Sequence, residues 1–164
     1  MALQIEGIGI ESLNEVAGIF HDCLHTQYRD FMPAHILATY GIEESLALWE
    51  KSLASTAQMH FIGGFNQTEL IGFAKYGIDP EDASSGYVAS LYVDPTQSGR
   101  GYGSFLMSHI VKELSTFPTI HLWVFESNLS AITFYSKFGY VPTGRERIEP
   151  EWEINQIQLE LRNS

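Results

Sequence analysis

Residues 91–104 read Leu-Tyr-Val-Asp-Pro-Thr-Gln-Ser-Gly-Arg-Gly-Tyr-Gly-Ser, with glycine at alternate positions Gly99, Gly101 and Gly103. Residues without side chains bare their backbone amides, and a helix starting there adds the positive end of its dipole. A strand-like Leu91-Tyr92-Val93 leading into such a loop makes an anion site whose natural occupant is a pyrophosphate. The plain alternative is a surface turn. The nearest rival site is a dinucleotide fingerprint, since Gly99-x-Gly101-x-x-Ser104 almost matches it and Glu126 stands where a ribose-binding acid would. That fold needs further βαβ units, for which the chain after Glu126 is expected to be too short, and the strands upstream read as hairpins. A phosphate-loop NTPase needs Gly-Lys-Ser/Thr after the loop, and none follows.

Other residues carry weaker signals. Ala131, Phe134, Tyr135 and Phe138 recur on one helical face, so spacing alone reads Tyr135 as a core residue. Asn128 is a good N-cap for that helix. His21 and His25 have a metal-compatible i,i+4 spacing, but no third ligand and no His-Glu pattern accompany them, so no metal is expected. Cys23, the single cysteine, reads as a small buried hydrophobe.

These residues need elements to hold them. Leu3–Ile10 reads as a short strand, and Ser12 with Glu15 as a capping box opening a helix from about Leu13 to Tyr28. Pro33 opens a second helix, and 43–55 forms a third. Strands are expected at 60–65, 70–78 and 87–93, with a hairpin turn at 66–69 and a polar connection at 79–86. A helix follows the glycine loop, Pro118 ends it, and 120–125 is a buried strand. Residues 128–138 form a last helix closed by Gly139, and 140–144 and 153–161 are the closing strands. With no repeat, linker or low-complexity tract, 1–164 is expected to be one α/β domain with a mixed sheet.

Composition limits the partners. The chain has 164 residues, 9 Lys and Arg against 20 Asp and Glu, and a net charge of −11. An acidic surface argues against nucleic acid and anionic membranes and suits a cationic small molecule or a basic peptide. No apolar run approaches the roughly 20 residues of a membrane span. The first basic residue is Arg29, so no signal-peptide start is read, and the lone cysteine agrees with a cytoplasmic location.

Two segments carry a family resemblance. Leu91-Tyr92-Val93-Asp94-Pro95 with Gly99-Arg100-Gly101-Tyr102-Gly103-Ser104 resembles the acetyl-CoA loop of the GNAT superfamily of N-acetyltransferases. Asn128-Leu-Ser-Ala131-Ile-Thr-Phe134-Tyr135-Ser-Lys-Phe138-Gly139-Tyr140 resembles the second motif of that family. The match spans about 87–145, and 125–147 is similar to bacterial polyamine acetyltransferases of the same superfamily. Two departures stand out: Ser98 replaces the usual Gln or Arg, and Ala89-Ser90 stands where many members carry a glutamate base.

The resemblance implies a mixed, mostly antiparallel sheet flanked by helices and acetyl-CoA as acyl donor. Leu91, Tyr92 and Val93 would meet the pantetheine arm and thioester, Ser98, Gly99, Arg100, Gly101, Tyr102, Gly103 and Ser104 the pyrophosphate, and Asn128 the cofactor. Tyr135 would be the general acid for the departing thiolate. The acceptor is a primary amine, of which about 0.1% is unprotonated near pH 7.4, a handicap of about 4 kcal/mol. A base is therefore needed. Glu126, at the end of a strand, is the first candidate, with Ser90 or a chain of waters as alternatives.

The family walls its acceptor site with the first helices and the turn between the last strands. Tyr28 and Phe31 stand on the first wall and Glu149 on the second, near Glu146, Glu151 and Glu153. Carboxylates beside aromatics suit a small cationic amine such as a polyamine. A protein or peptide N-acetyltransferase and a non-catalytic acyl-CoA sensor remain open. Dimers are frequent in the family, and Trp152 reads as an exposed aromatic suited to a homodimer interface.

Overall fold

Alternation and helical periodicity place the elements along the chain, and the pairing register shows how they assemble. The computed structural model describes residues 3–55 and 58–164. Its elements are β1 (Leu3–Gly7), α1 (Leu13–His25), α2 (Ala34–Thr39), α3 (Ile42–Ala54), β2 (Met59–Asn66), β3 (Glu69–Asp79) and β4 (Asp82–Val93), followed by α4 (Tyr102–Glu113), β5 (Thr119–Phe125), α5 (Leu129–Ser136), β6 (Val141–Glu149) and β7 (Ile154–Arg162). The sheet order is β1-β2-β3-β4-β5-β7-β6, antiparallel throughout except for the parallel pair β4–β5. The expected class is the observed one, an α/β fold with a mostly antiparallel sheet between helices.

Two apolar layers cover the sheet. Leu106, Met107 and Ile110 of α4 pack on Ala74, Val88, Ile120, Leu122 and Val124 on one face. On the other, Val16, Phe20 and Leu24 of α1 and Trp49 of α3 pack on Leu70, Phe73 and Phe125. Strand alternation produces this division: Val124 and Phe125 are neighbours in sequence and enter opposite layers. Each fully buried side chain of this size contributes about 1.5–3 kcal/mol.

Several local expectations shift. α1 ends at His25 rather than Tyr28, and Ser12 makes no side-chain cap because Ile10–Ser12 is already a 3₁₀ turn feeding the helix. β4 begins at Asp82, so the polar 79–86 connection shrinks to a tight turn, and β6 runs on to Glu149. The β6 segment is exposed at six consecutive positions from Val141 to Glu146, and β4 opens with the exposed Ala83 and Ser84, so neither shows the apolar alternation that marks a strand.

The β4–β5 pair positions the site. Parallel neighbours need a crossover, supplied here by the glycine loop and α4. Their pairing covers only Gly86–Val88 against Ile120–Leu122. β4 then bulges, since Lys75 faces Ser90 while Tyr76 faces Val88, leaving Ala89 without a partner in the ladder. β5 continues along β7 as far as Phe125. The two strands therefore diverge, and the edge of β4 from Ala89 to Val93 has no strand beside it on the β5 side.

Candidate active site

The divergence opens two cavities. The first, about 620 Å³, is lined by Leu91, Tyr92 and Val93 of β4, by Gln97, Ser98, Gly99, Gly101, Tyr102, Gly103 and Ser104, by Asn128, Ser130, Ala131, Phe134 and Tyr135, and by Cys23, Gln27 and Tyr28. The second, about 280 Å³, lies between β4, β5 and the start of the β6–β7 turn and includes Ser90, Trp49, Trp123, Phe125, Arg147, Glu149, Glu151, Trp152 and Gln156. Leu91, Tyr92 and Tyr135 line both. The first has the size of a ligand site for a drug-sized or larger molecule.

The glycine loop works through its backbone. Gly99 and Gly101 have φ of +78° and +84°, a left-handed conformation that side chains resist. A Cβ on either would meet nothing within 4 Å, so the chain leaves open space over the loop. Gly101 is the N-cap of α4, so the first amides of that helix have no intrahelical acceptor, and residues Gly101 to Ser104 line the first cavity. Asp94 Oδ1 accepts from Thr96 N–H at 2.9 Å and stiffens the entry to the loop. Bare amides at a helix start beside an unpaired strand edge fit a pyrophosphate carrying a polar arm.

Tyr135 is placed by α5. Asn128 Oδ1 accepts from Ala131 N–H at 3.2 Å and caps the helix, and Gly139 at φ +101° closes it. The Tyr135 ring lies 5.3 Å from Phe134 and 5.7 Å from Tyr140. Burial pushes its phenol up to about 12. Burial likewise raises Tyr28 and Tyr92, whose hydroxyls share a hydrogen bond. Cys23 Sγ donates to Val93 O at 3.2 Å. Burial, reinforced by Asp22 and Asp94, holds its thiol up to about 12.

The second cavity is aromatic below and charged at its mouth. The Trp152 ring lies 4.6 Å from Tyr40, tilted by 37°, and packs against Phe20, so it is a cavity wall and not the exposed interface aromatic expected from sequence. Glu151 accepts from the Tyr40 hydroxyl, and its N–H donates to Glu149 Oε1 at 3.3 Å. Glu153 lies outside and meets His35 Nε2 at 2.7 Å.

Most expected site residues line the cavities, and three do not. Arg100, between the two left-handed glycines, is exposed and absent from the lining. Glu126 is exposed past the end of β5, lines neither cavity and accepts from Asn155 Nδ2. Its backbone N–H donates to Asn155 O, which holds it on the β7 side. Phe31 packs behind the wall on Tyr28 and Phe125. Sequence reasoning passed over Trp49 and Trp123. Trp123 was within reach of it, since it shares a strand face with Phe125 in an alternating run. No cluster of three or more metal-ligating side chains occurs among the described residues, and no helix there is long and apolar enough to cross a membrane.

The acetyltransferase (GNAT) family model matches residues 21–140. Among curated proteins, the chain is 30% identical over 87 residues to the spermine/spermidine N(1)-acetyltransferase of Bacillus subtilis (strain 168), covering 48% of this chain and 57% of that protein. The chain thus spans little more than half of that relative. It is 28% identical over 123 residues to the peptidyl-lysine N-acetyltransferase YjaB of Escherichia coli (strain K12), covering 65% of this chain and 80% of the relative. Among solved structures, the PaiA N-acetyltransferase of Thermoplasma acidophilum in complex with coenzyme A superposes with a TM-score of 0.76 at 19% identity over 99% of both chains. The chain belongs to the acetyltransferase (GNAT) family.

Proposed function

We propose that this chain is an acetyl-CoA-dependent N-acetyltransferase that moves the acetyl group directly to a primary amine of a small cationic acceptor. One observation carries the reading: a cleft built for a phosphate-bearing donor and an aromatic, carboxylate-rimmed cavity share Tyr135 and the unpaired edge of β4. Direct transfer needs the donor carbonyl and the acceptor nitrogen in contact, and two cavities with a common wall provide that.

The residues then divide the work. The loop amides from Gly99 to Ser104 receive the pyrophosphate, and Leu91 and Val93 receive the arm along the free strand edge. The acceptor, an ammonium at neutral pH, first loses one proton; its nitrogen then bonds to the acetyl carbon, the carbon–sulfur bond breaks, a second proton leaves nitrogen and one ends on sulfur. A phenol at about 12 keeps its proton at any working pH. Giving it outright to a thiolate of reference pKa ~8.5 runs uphill by roughly 3 to 4 pH units. Tyr135 is therefore a hydrogen-bond donor to the sulfur that passes on a proton from the amine side. Ser90 and Glu149 line the second cavity and Glu126 does not, which supports giving Glu149 the task of holding the amine and taking up its first proton.

A polyamine-acetylating relative and the carboxylates at the cavity mouth support a cationic acceptor. A peptidyl-lysine relative that covers more of the chain supports a second reading, in which a lysine side chain is the acceptor. Thiol release from acetyl-CoA against spermidine, spermine, aminoglycosides, amino acids and lysyl peptides tests the proposal, with a Cys23→Ala protein alongside. Turnover with at least one class is expected. Binding of acetyl-CoA with no turnover on any of them would leave a sensing domain instead.

A further inference from the structure

Arg147 is the only cation lining the second cavity among the described residues. Its place is built from several sides. Nε donates to Oε1 of the buried Gln156 at 2.7 Å, and the guanidinium lies over the Trp123 ring at 4.3 Å from its centroid. The Tyr87 phenol is a further hydrogen-bond partner. Glu81 and Glu149 stand 3.9 and 3.8 Å from its terminal nitrogens, ion pairs too long to be hydrogen bonds. The guanidinium is thus held in position while retaining N–H donors for a ligand.

That changes what the acidic run around residues 146–153 presents. Glu153 is turned to His35, and Glu151 accepts from Tyr40. Within the cavity, Glu151 keeps its charge beside Tyr40, and Glu149 and Arg147 stand as adjacent opposite charges. A polyamine offers only ammonium groups, which donate and are repelled by a guanidinium. An amine whose chain also carries an oxygen acceptor can satisfy both side chains at once.

We propose that Arg147 makes the acceptor cavity selective for an amine that also bears a carboxylate or amide carbonyl, as a free lysine or a lysyl peptide does, over a polyamine. This rests on the reading that the second cavity receives the acceptor. Lysine and cadaverine test it directly, because they differ only by the carboxylate. Binding is measured by calorimetry in the presence of coenzyme A, and kcat/KM by thiol release, for the wild type, Arg147→Gln and Arg147→Lys. Nα-acetyl-lysine methylamide separates a carbonyl from a carboxylate: equality with lysine identifies a peptide as the source, and a deficit a free amino acid.

The wild type is expected to favour lysine or the methylamide over cadaverine by about tenfold, the scale of one charge-assisted hydrogen bond. R147Q should bring that ratio close to one and improve spermidine. R147K keeps the charge without the planar fork and should fall between. A wild type that prefers cadaverine or spermidine overturns the proposal, as does an R147Q protein that weakens every acceptor equally. If R147Q fails to fold, the wild-type ratio alone decides. Ratios that hold in calorimetry while no acceptor releases thiol keep the selectivity and overturn the transferase reading.

Discussion

The two ends of the β4–β5 pair use the same kinds of residue in opposite ways. At the closed end the strands are joined from Gly86 to Val88, and Ser85 Oγ and Thr119 Oγ1 meet across them at 2.7 Å. His121 bridges Asp79 Oδ2 at 2.9 Å and Glu160 Oε1 at 3.1 Å. Both ring nitrogens lie within hydrogen-bond reach of a carboxylate, so the imidazole is held from two sides. At the open end β4 bulges and loses its neighbour, and the chain puts bare amides, a raised phenol and a spaced Arg147–Glu149 pair there. Polar groups that satisfy one another hold the sheet together, and those left with spare capacity face the cavities.

The sharpest break in this contrast is Tyr135→Phe. It should lower kcat by about 10²- to 10⁴-fold with the acetyl-CoA Kd unchanged, read by steady-state kinetics and calorimetry. His121→Leu at the other end leaves two carboxylates facing each other and should cost about 3–5 kcal/mol in urea unfolding, with kcat/KM of the folded protein unchanged. The pH dependence sharpens the same point. Burial pushes the Glu160 carboxyl up, but hydrogen bonds from His121 and Arg162 outweigh it and the net shift is down. That contribution is present above the reference value of about 4.3 and is lost as pH falls through the lower folded pKa. The wild-type stability should therefore fall more steeply than that of H121L in acid below about pH 4.3.

Smaller changes separate backbone from side chain at the open end. Gly101→Ala places a residue at φ +84° and should cost about 1 kcal/mol in stability. Its methyl group also enters the space over the loop, so acetyl-CoA should bind about tenfold more weakly in calorimetry. Glu149→Gln should raise KM for a cationic acceptor several-fold and lower kcat, whereas Glu153→Gln, turned to His35, should leave both unchanged. Equal effects from the two would return the acidic run to a diffuse surface charge.

How much of this was legible in sequence follows from the range of the interactions. The glycine loop and the Asn128–Gly139 helix are local, and spacing alone places them. The insertion of β7 between β5 and β6 is not local, and the same insertion draws Glu126 toward Asn155 and away from the cavities. Arg147 reaches Trp123 across β7, a contact that no sequence spacing encodes. Trp152 looked exposed because its neighbours in sequence are acidic, while its neighbours in space are Phe20 and Tyr40. Charge runs mislead in the same way: the sequence gives four glutamates between 146 and 153, of which only Glu149 and Glu151 line the cavity.

The central claim is that donor and acceptor cavities meet at Tyr135. It is tested most directly by the affinity of a conjugate in which the ε-nitrogen of lysine is joined to the coenzyme A sulfur through an acetyl bridge. Calorimetry should find it bound at least a hundredfold more tightly than coenzyme A alone, because the second half binds at a high effective concentration. A Kd equal to that of coenzyme A would mean that the two cavities do not act as one site.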